Sequence, residues 1–329
     1  MKILFWGTPE FAVPCLRALD EEGFDIVGVV SQPDRPAGRG QRLRMSAVKQ
    51  VALEQGFAVL TPDRPRGDDF MAAVRELAPE LSVVVAYGHI LKPEVLALPP
   101  RGSINVHASL LPELRGAAPV TWAIARGHAQ TGVTIMRMSA GMDAGPIIHQ
   151  VAGPILSDES ASELAIRLSE MGAQALVEAL ALMSDGSVEE RQQDEDAVTF
   201  APKVDRATAR INWDLPAIEV ARFIRAMDSI PGAWSESGGA QVKFFRPSTV
   251  RQHDVSPPEV PGPTGNGGAP MADVPLPGTV VGTDPDRGVL VATADGGVLV
   301  TEVQPAGKRR MGARDWINGR GVGVGSRFE

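Results

Sequence analysis

The runs KILFWG (Lys2–Gly7) and LSVVVA (residues 81–86) decide the fold. Both are continuously apolar rather than alternating, which is typical of strands that are covered on both faces of a parallel sheet. Patterns of helical period lie between successive runs of this kind. The alternation of strand and helix predicts an α/β fold with a doubly wound, mostly parallel sheet.

Further segments extend the same pattern along the N-terminal part of the chain. Weaker apolar runs predict strands at residues 26–30, 59–60, 103–108 and 132–138. Apolar residues at helical spacing predict helices at residues 11–19, 68–77 and 160–183. The longest of these helices starts with the capping-box pair Ser160 and Glu163.

A polar and acidic stretch separates this part from a different C-terminal pattern. Residues 184–205 are weakly periodic and predict a linker, which divides the chain into a catalytic domain at 1–189, a linker at 190–206 and a C-terminal domain at 207–329. The C-terminal domain begins with a predicted helix at 215–227 and continues with closely spaced strands, which predict a small β-barrel or sandwich. A Pro/Gly-rich insertion occupies about 257–278, with no visible function.

Composition and charge exclude several classes of protein. Cys15 is the one cysteine, which rules out an intrachain disulfide and a CxxC metal site and favours a cytoplasmic protein. No apolar stretch is long enough for a signal-peptide core or a membrane span. The net charge of −8 conceals an asymmetry, because residues 206–329 carry 14 basic and 13 acidic side chains. A polyanionic partner would therefore have to bind at local basic clusters.

Three polar side chains are predicted to meet at one edge of the sheet. Asn105 and His107 are two residues apart in a strand and so share a face, where the strand ends. Asp143 lies between two glycines in a loop after the strand at 132–138, which we expect at the same edge. Ligands collect at the carboxyl ends of strands in open α/β sheets. The alternatives are a core histidine bonded to asparagine, and an aspartate that caps its own turn.

These residue types suit acyl transfer. A histidine and a carboxylate can move a proton, and an amide or a protonated imidazole can stabilise an oxyanion. No serine or cysteine occupies a nucleophile elbow, so a covalent intermediate is not indicated. A nicotinamide-dependent oxidoreductase is disfavoured because the turn after the first strand has only Gly7 of the expected glycines. No metal-ligand spacing links the histidines, and we expect no metal.

Two basic clusters interrupt the acidic surface. The segment QPDRPAGRGQRLR (residues 32–44) holds four arginines in a Pro/Gly loop, and QPAGKRR (residues 304–310) follows the last predicted strand. Each is either a solvated surface loop or a group of phosphate contacts. The residues alone leave this choice open.

Taken together, these segments resemble the folate-dependent formyltransferase family, and the similarity covers nearly the whole chain. The resemblance is carried by five motifs: G-T-P-x-F at 7–11, Q-P-D-R-P-A-G-R-G at 32–40, N-x-H-x-S-L-L-P-x-x-R-G-A-A-P at 105–119, G-x-D-x-G at 141–145 and Q-P-A-G-K at 304–308. The third motif is highly specific for formyl transfer from folate. The insertion near 257–278 has no counterpart in this pattern.

The resemblance implies a Rossmann-like catalytic domain, an OB-like C-terminal β-barrel that binds tRNA, and a direct reaction through a tetrahedral intermediate. It implies 10-formyltetrahydrofolate as donor and the α-amino group of methionyl initiator tRNA as acceptor, in a monomer with no membrane partner. It assigns roles as follows: catalysis to Asn105, His107 and Asp143; folate binding to Ser109, Leu110, Leu111 and Pro112; tRNA binding to Arg39, Arg42, Lys308 and Arg309.

Several questions stay open at this level. Either His107 or Asp143 could move the proton, and a protonated His107 could serve the oxyanion together with Asn105. A formyltransferase or formyltetrahydrofolate hydrolase that acts on a small molecule would share the three residues but would not need tRNA. An RNA-binding module without enzymatic activity would need none of them.

Overall fold

The computed structural model describes residues 1–37, 42–251 and 275–329. The chain forms two compact units. The first comprises residues 1–120, 130–154 and 163–202, and the second comprises 121–129, 155–162 and 203–329. The predicted division at 1–189, 190–206 and 207–329 stays a prediction.

Up to residue 185 the chain alternates strands and helices. The strands are β1 (Lys2–Gly7), β2 (Asp25–Val30), β3 (Arg35–Ala37), β4 (Arg42–Arg44), β5 (Val59–Leu60), β6 (Leu81–Val85), β7 (Ser103–His107), β8 (Gln130–Arg137) and β9 (Ile147–Pro154). The helices are α1 (Val13–Glu21), α2 (Ala47–Glu54), α3 (Asp68–Leu77), α4 (Pro93–Leu96), α5 (Pro119–Ala125) and α6 (Ala161–Asp185).

Seven of these strands form one sheet in the order β5-β2-β1-β6-β7-β8-β9. The pairs from β5 to β7 are parallel, whereas β8 is antiparallel to both β7 and β9. The predicted doubly wound, mostly parallel sheet is therefore confirmed. The antiparallel β8–β9 hairpin was not predicted, because the sequence at 147–154 alternates weakly and carries no strong strand pattern.

Burial explains why the two deciding runs fold as strands. All five residues of β6 are buried, and β1 is buried from Ile3 onward. Helix α3 packs Met71 and Val74 into the core that contains Leu4, Trp6 and Val84 of the central strands. Each such large apolar side chain contributes about 1.5 to 3 kcal/mol when it is fully buried. The apolar runs therefore define the centre of the sheet.

The second unit is built around an antiparallel sheet. Its elements are α7 (Ala217–Ala226), β10 (Trp234–Ser237), β11 (Ala240–Arg251), β12 (Val280–Asp284), β13 (Gly288–Ala292), β14 (Gly296–Pro305), β15 (Met311–Gly312) and α8 (Ala313–Asn318). The order is β10-β11-β14-β13-β12, with β15 paired to β14. One core joins α7 and α8 to this sheet through residues such as Ile224, Phe244 and Trp316. The predicted fold class is confirmed as a mostly parallel α/β sheet followed by a separate antiparallel sheet. The closure of the second sheet into an OB-like β-barrel stays a prediction.

Most of the predicted insertion at 257–278, from 257 to 274, lies outside the described residues. Among the residues that are described, no helix is both long enough and apolar enough to cross a membrane.

Candidate active site

Strand β7 presents two polar side chains on one face at its carboxyl end. Asn105 lies between Val84 of β6 and Met136 of β8, and His107 is the last residue of the strand, opposite Thr134. The Asn105 side chain is half-buried, and within the described part of the chain its amide makes no hydrogen bond. It is therefore an available hydrogen-bond donor on the same face of β7 as the imidazole.

The contacts of His107 fix which of its nitrogens can act. The ring is 6% exposed, and its Nε2 lies 3.0 Å from the carbonyl oxygen of Leu114. A carbonyl only accepts, so Nε2 carries the hydrogen and donates it. In the neutral ring the lone pair is then on Nδ1.

Burial lowers the pKa of the His107 imidazole below its ordinary value, because the charged form loses solvation; the charge of Asp143 and the hydrogen bond to Leu114 oppose this effect. Burial therefore favours the neutral form of His107, with its lone pair on Nδ1. The alternative in which a protonated His107 serves the oxyanion stays a prediction.

Asp143 faces the free nitrogen of this ring. Its Oδ2 lies 3.7 Å from Nδ1 of His107 and accepts a hydrogen bond of 2.9 Å from the backbone N–H of Gly116. The separation from Nδ1 exceeds a hydrogen bond, so Asp143 acts on the imidazole through its charge. The aspartate does cap backbone, as the alternative interpretation held, but it caps the loop after β7 rather than its own turn.

The loop that carries Asp143 starts at a different end of the sheet from the one expected. Because β8 is antiparallel to β7, its last residue Arg137 pairs with Ile104, about three residues or ~10 Å before the end of β7. The loop 138–146 therefore starts on the amino-terminal side and returns toward His107. We expected the loop that carries Asp143 at the carboxyl edge; the loop starts at the opposite edge because β8 is antiparallel, and it brings Asp143 back to His107.

The predicted folate segment follows directly after β7. Ser109 and Leu111 are buried, whereas Leu110 and Pro112 are half-buried. The Ser109 hydroxyl donates to the carbonyl of Glu113 at 2.6 Å, and the backbone N–H of Leu111 donates to Thr134 Oγ1 at 3.1 Å. These contacts fix the backbone of the segment, so Leu110 and Pro112 are the members with surface left for a ligand.

The segment predicted as a linker lies along the loop after β7. Residues 191–201 make backbone hydrogen bonds with Ile147 and Arg115, and Thr199 Oγ1 accepts from the N–H of Leu114 at 2.8 Å. A Cβ at Gly116 would lie 2.7 Å from the carbonyl oxygen of Ala201, so this close approach requires glycine. Residues 191–201 thus form one wall of the candidate site, and the sequence analysis did not predict it.

Two buried polar side chains belong to this wall. Gln193 donates from Nε2 to the carbonyls of Asp143 and Gly145, each at 2.8 Å. Its Oε1 accepts from Nε of Arg115 at 3.0 Å, and the other guanidinium nitrogens of Arg115 bind Glu195 at 2.8 and 3.2 Å. The Arg115 guanidinium lowers the pKa of the Glu195 carboxyl. In the sequence, the only sign of this network is Arg115, which lies within the motif at 105–119.

The two basic clusters offer exposed cations. Arg39 lies outside the described residues, and Arg42 is exposed in β4. In the second unit, Lys308 and Arg309 are exposed and make no ion pair with the described residues. Their neighbour Arg310 instead pairs with Asp228 at 2.9 Å and with Glu302 at 2.6 Å.

Other reactive groups are not part of this arrangement. Within the described ranges, no group of three His, Cys, Asp or Glu side chains could hold a metal ion. His149 pairs with Glu178 of α6 at 2.7 Å. Burial raises the pKa of the Cys15 thiol to about 12, which makes it a poor nucleophile.

A neutral imidazole, a nearby carboxylate and a free amide at the carboxyl edge of an α/β sheet are the equipment of an acyl-group transferase. The comparisons with known proteins agree with this class. Residues 1–180 match the family described as formyl transferase, and residues 203–321 match its C-terminal domain. The chain belongs to the formyl transferase family.

Relatives match along the full length. The methionyl-tRNA formyltransferase of Symbiobacterium thermophilum is 45% identical over 100% of this chain and 95% of the relative. That of Chromobacterium violaceum is 43% identical, over 100% of this chain and 99% of the relative. The crystal structure of HypX from Aquifex aeolicus in complex with tetrahydrofolic acid has a TM-score of 0.63 at 20% identity, covering 98% of this chain and 48% of that one; this likeness concerns the fold alone.

Proposed function

We propose that this chain, as a cytoplasmic monomer, transfers the formyl group of 10-formyltetrahydrofolate to the α-amino group of methionine on initiator tRNA. The 3.7 Å approach of Asp143 to the lone-pair nitrogen of His107, beside the free amide of Asn105, carries the proposal. Full-length identity above 40% to two methionyl-tRNA formyltransferases supports the choice of acceptor.

The residues of the site fit the folate donor. The bound donor supplies an activated formyl carbon attached to a folate nitrogen. Leu110 and Pro112 offer apolar surface next to the strand end. We assign Ser109 and Leu111 to the backbone that shapes this segment.

Attack by the amine forms the new N–C bond and breaks the bond from the formyl carbon to the folate nitrogen. The α-amino group has a reference pKa of about 8, so a useful fraction is neutral at pH 7. Negative charge develops on the formyl oxygen in the transition state. We assign Asn105 as the donor to this oxygen, since its amide is otherwise unoccupied.

The proton of the attacking amine must pass to the leaving folate nitrogen. Nδ1 of His107 is the free base in the site, and it can accept this proton and return it to the leaving nitrogen. The carboxylate of Asp143 stabilises the imidazolium that exists between the two transfers. The geometry thus favours His107 as the group that moves the proton, with Asp143 as its electrostatic partner.

We assign the cations of the two basic clusters to the tRNA. Arg39 and Arg42 would contact its acceptor arm, and Lys308 and Arg309 would contact phosphates. These contacts supply affinity and position rather than chemistry.

A transfer assay tests the proposal. Purified chain is incubated with 10-formyltetrahydrofolate and one acceptor: methionyl initiator tRNA, methionyl elongator tRNA or free methionine. The proposal expects formylmethionyl ester on the initiator tRNA and little on the other acceptors. Release of formate without a formylated acceptor would instead identify a hydrolase, and formylation of a small amine without tRNA would identify another acceptor class.

A further inference from the structure

The loop that carries Asp143 needs external support. Asp143 has a left-handed backbone with φ of +51°, which is strained for a residue with a side chain, and its neighbour Met142 is 61% exposed. Strain of this kind persists only where the surroundings enforce it. Something outside the loop must therefore hold the carboxylate in its place.

Gln193 meets this requirement. A side-chain amide has two N–H hydrogens, and the structure offers them two carbonyl acceptors, those of Asp143 and Gly145, at 2.8 Å each. Gln193 is 9% exposed, so both bonds are shielded from water. A Cβ at Gly145 would collide with the carbonyl of Arg137, so the loop is also packed tightly against β8 at this point.

Gln193 is itself fixed from the catalytic side. Its oxygen accepts from Nε of Arg115, which is 4% exposed and anchored at its far end by Glu195. The next residue along the chain, Gly116, donates its N–H to the Asp143 carboxylate. The backbone and the side chain of Asp143 are thus held by one connected set of bonds.

We propose that Gln193 is a positioning residue for the transfer reaction, which sets the separation between the Asp143 carboxylate and the His107 imidazole through its two bonds to the Asp143 loop. The inference rests on the proposed function for its catalytic consequence. It adds a residue from outside the motifs that carry the family resemblance.

Gln193→Met is the principal test, because methionine has nearly the same length and supplies no N–H. We expect the loop to relax, the carboxylate to move away from the ring, and kcat to fall about 10²-fold, the loss typical of a displacement of about 1 Å. KM for both substrates should stay within about twofold, because no binding contact is removed. Gln55→Met, at the end of α2, is the matched control and should leave kcat unchanged.

Gln193→Glu separates the two contacts of this side chain. It keeps an acceptor for Arg115 but loses both N–H donors to the loop. We expect kcat to be as low as in Gln193→Met. Recovery of the original kcat in Gln193→Glu would show that the Arg115 contact alone matters, and it would overturn the inference.

A readout that does not depend on turnover is the NMR titration of His107. The negative charge of Asp143 favours the imidazolium form of His107. A displaced carboxylate should therefore lower the pH midpoint of the His107 titration in folded Gln193→Met relative to the original chain. A simple loss of stability would lower the melting temperature and leave this midpoint in place. An unmoved midpoint in a folded variant overturns the positioning role.

The failure of this inference and that of the proposed function are distinguishable. If the unmodified chain transfers no formyl group to any acceptor, the proposed function fails, while the titration still decides whether Gln193 positions Asp143. If transfer is normal and Gln193→Met has unchanged kcat, the proposed function stands and the positioning role is wrong.

Discussion

The candidate active site at the sheet edge and the basic tip at Lys308–Arg310 hold their polar side chains differently. At the edge, His107 and Asp143 are largely buried, and each accepts or donates a hydrogen bond that fixes it. At the tip, Lys308 and Arg309 are exposed and make no ion pair with the described residues. Both regions are polar, but among the described residues Lys308 and Arg309 have no ion pair to fix them in advance, whereas His107 and Asp143 are held by hydrogen bonds.

This difference separates chemistry from affinity. In the proposed function, the groups held by the interior act on the transition state, so their loss should reduce kcat. The exposed cations of the tip are proposed to contact phosphates of the tRNA, so their loss should reduce binding in a salt-dependent way. The tip contains its own contrast, because Arg310 is bound to Asp228 and Glu302 and lies 4.0 Å from the centre of the Phe245 ring.

His107→Ala is expected to have the largest effect. It removes the base that we propose relays the proton, and kcat should fall by about 10² to 10⁴. Binding of methionyl initiator tRNA, measured by filter retention, should be unchanged, because His107 is buried. Turnover within a few-fold of the original would remove His107 from the mechanism.

Asn105→Ala should reduce kcat slightly less than His107→Ala does. Loss of one oxyanion donor reduces kcat by about 10² to 10³. Steady-state kinetics at saturating tRNA measure this effect, and Asn212→Ala, in an exposed turn of the second unit, is the control. Equal losses in both variants would point to stability rather than to oxyanion binding.

Asp143→Asn tests the electrostatic partnership directly. The carboxylate raises the pKa of His107 against the effect of burial, so its neutralisation should lower that pKa further. In NMR titrations the midpoint of His107 should lie below about 6.5 in the original chain and lower still in the variant. A midpoint that rises in Asp143→Asn would show that the two groups interact in another way.

Changes at the basic tip should give the smallest effects. Lys308→Ala and Arg309→Ala should each lower the slope of log K against log salt by about 0.7 to 0.9, the contribution of one phosphate contact. Arg310→Ala should leave that slope unchanged and reduce the melting temperature, since it leaves the buried Asp228 without its cation. An identical response of all three variants would remove the contrast within the tip.

The basic segment at residues 32–44 allows a test of tRNA binding in the first unit. Arg39→Ala and Arg42→Ala should raise KM for tRNA and leave the single-turnover rate at saturating tRNA close to the original. Unchanged kinetics in both variants would contradict a role for this loop in tRNA binding.

The sequence predicted the centre of the sheet and the composition of the candidate site because both depend on local pattern. The continuous burial of β1 and β6 is visible as continuous apolar runs, and the spacing of Asn105 and His107 gives their shared face. The antiparallel direction of β8 was not predictable, because strand direction depends on pairing across the sheet.

Gln193 was missed for a related reason. It lies in a polar, acidic stretch without periodicity, and its importance comes from contacts with residues 48 and 50 positions earlier in the chain. Composition predicted a linker and gave no sign of the tertiary hydrogen bonds that place residues 191–201 against the loop after β7. The predicted roles of the folate and tRNA residues stay predictions.

Single-turnover formyl transfer to methionyl initiator tRNA, at saturating tRNA and donor, compares the two regions most directly. We predict that His107→Ala slows this step by at least about 10²-fold, while the double variant Lys308→Ala, Arg309→Ala reacts at the original rate. Equal rate constants for His107→Ala and the original chain would contradict the assignment of the chemistry to the buried edge.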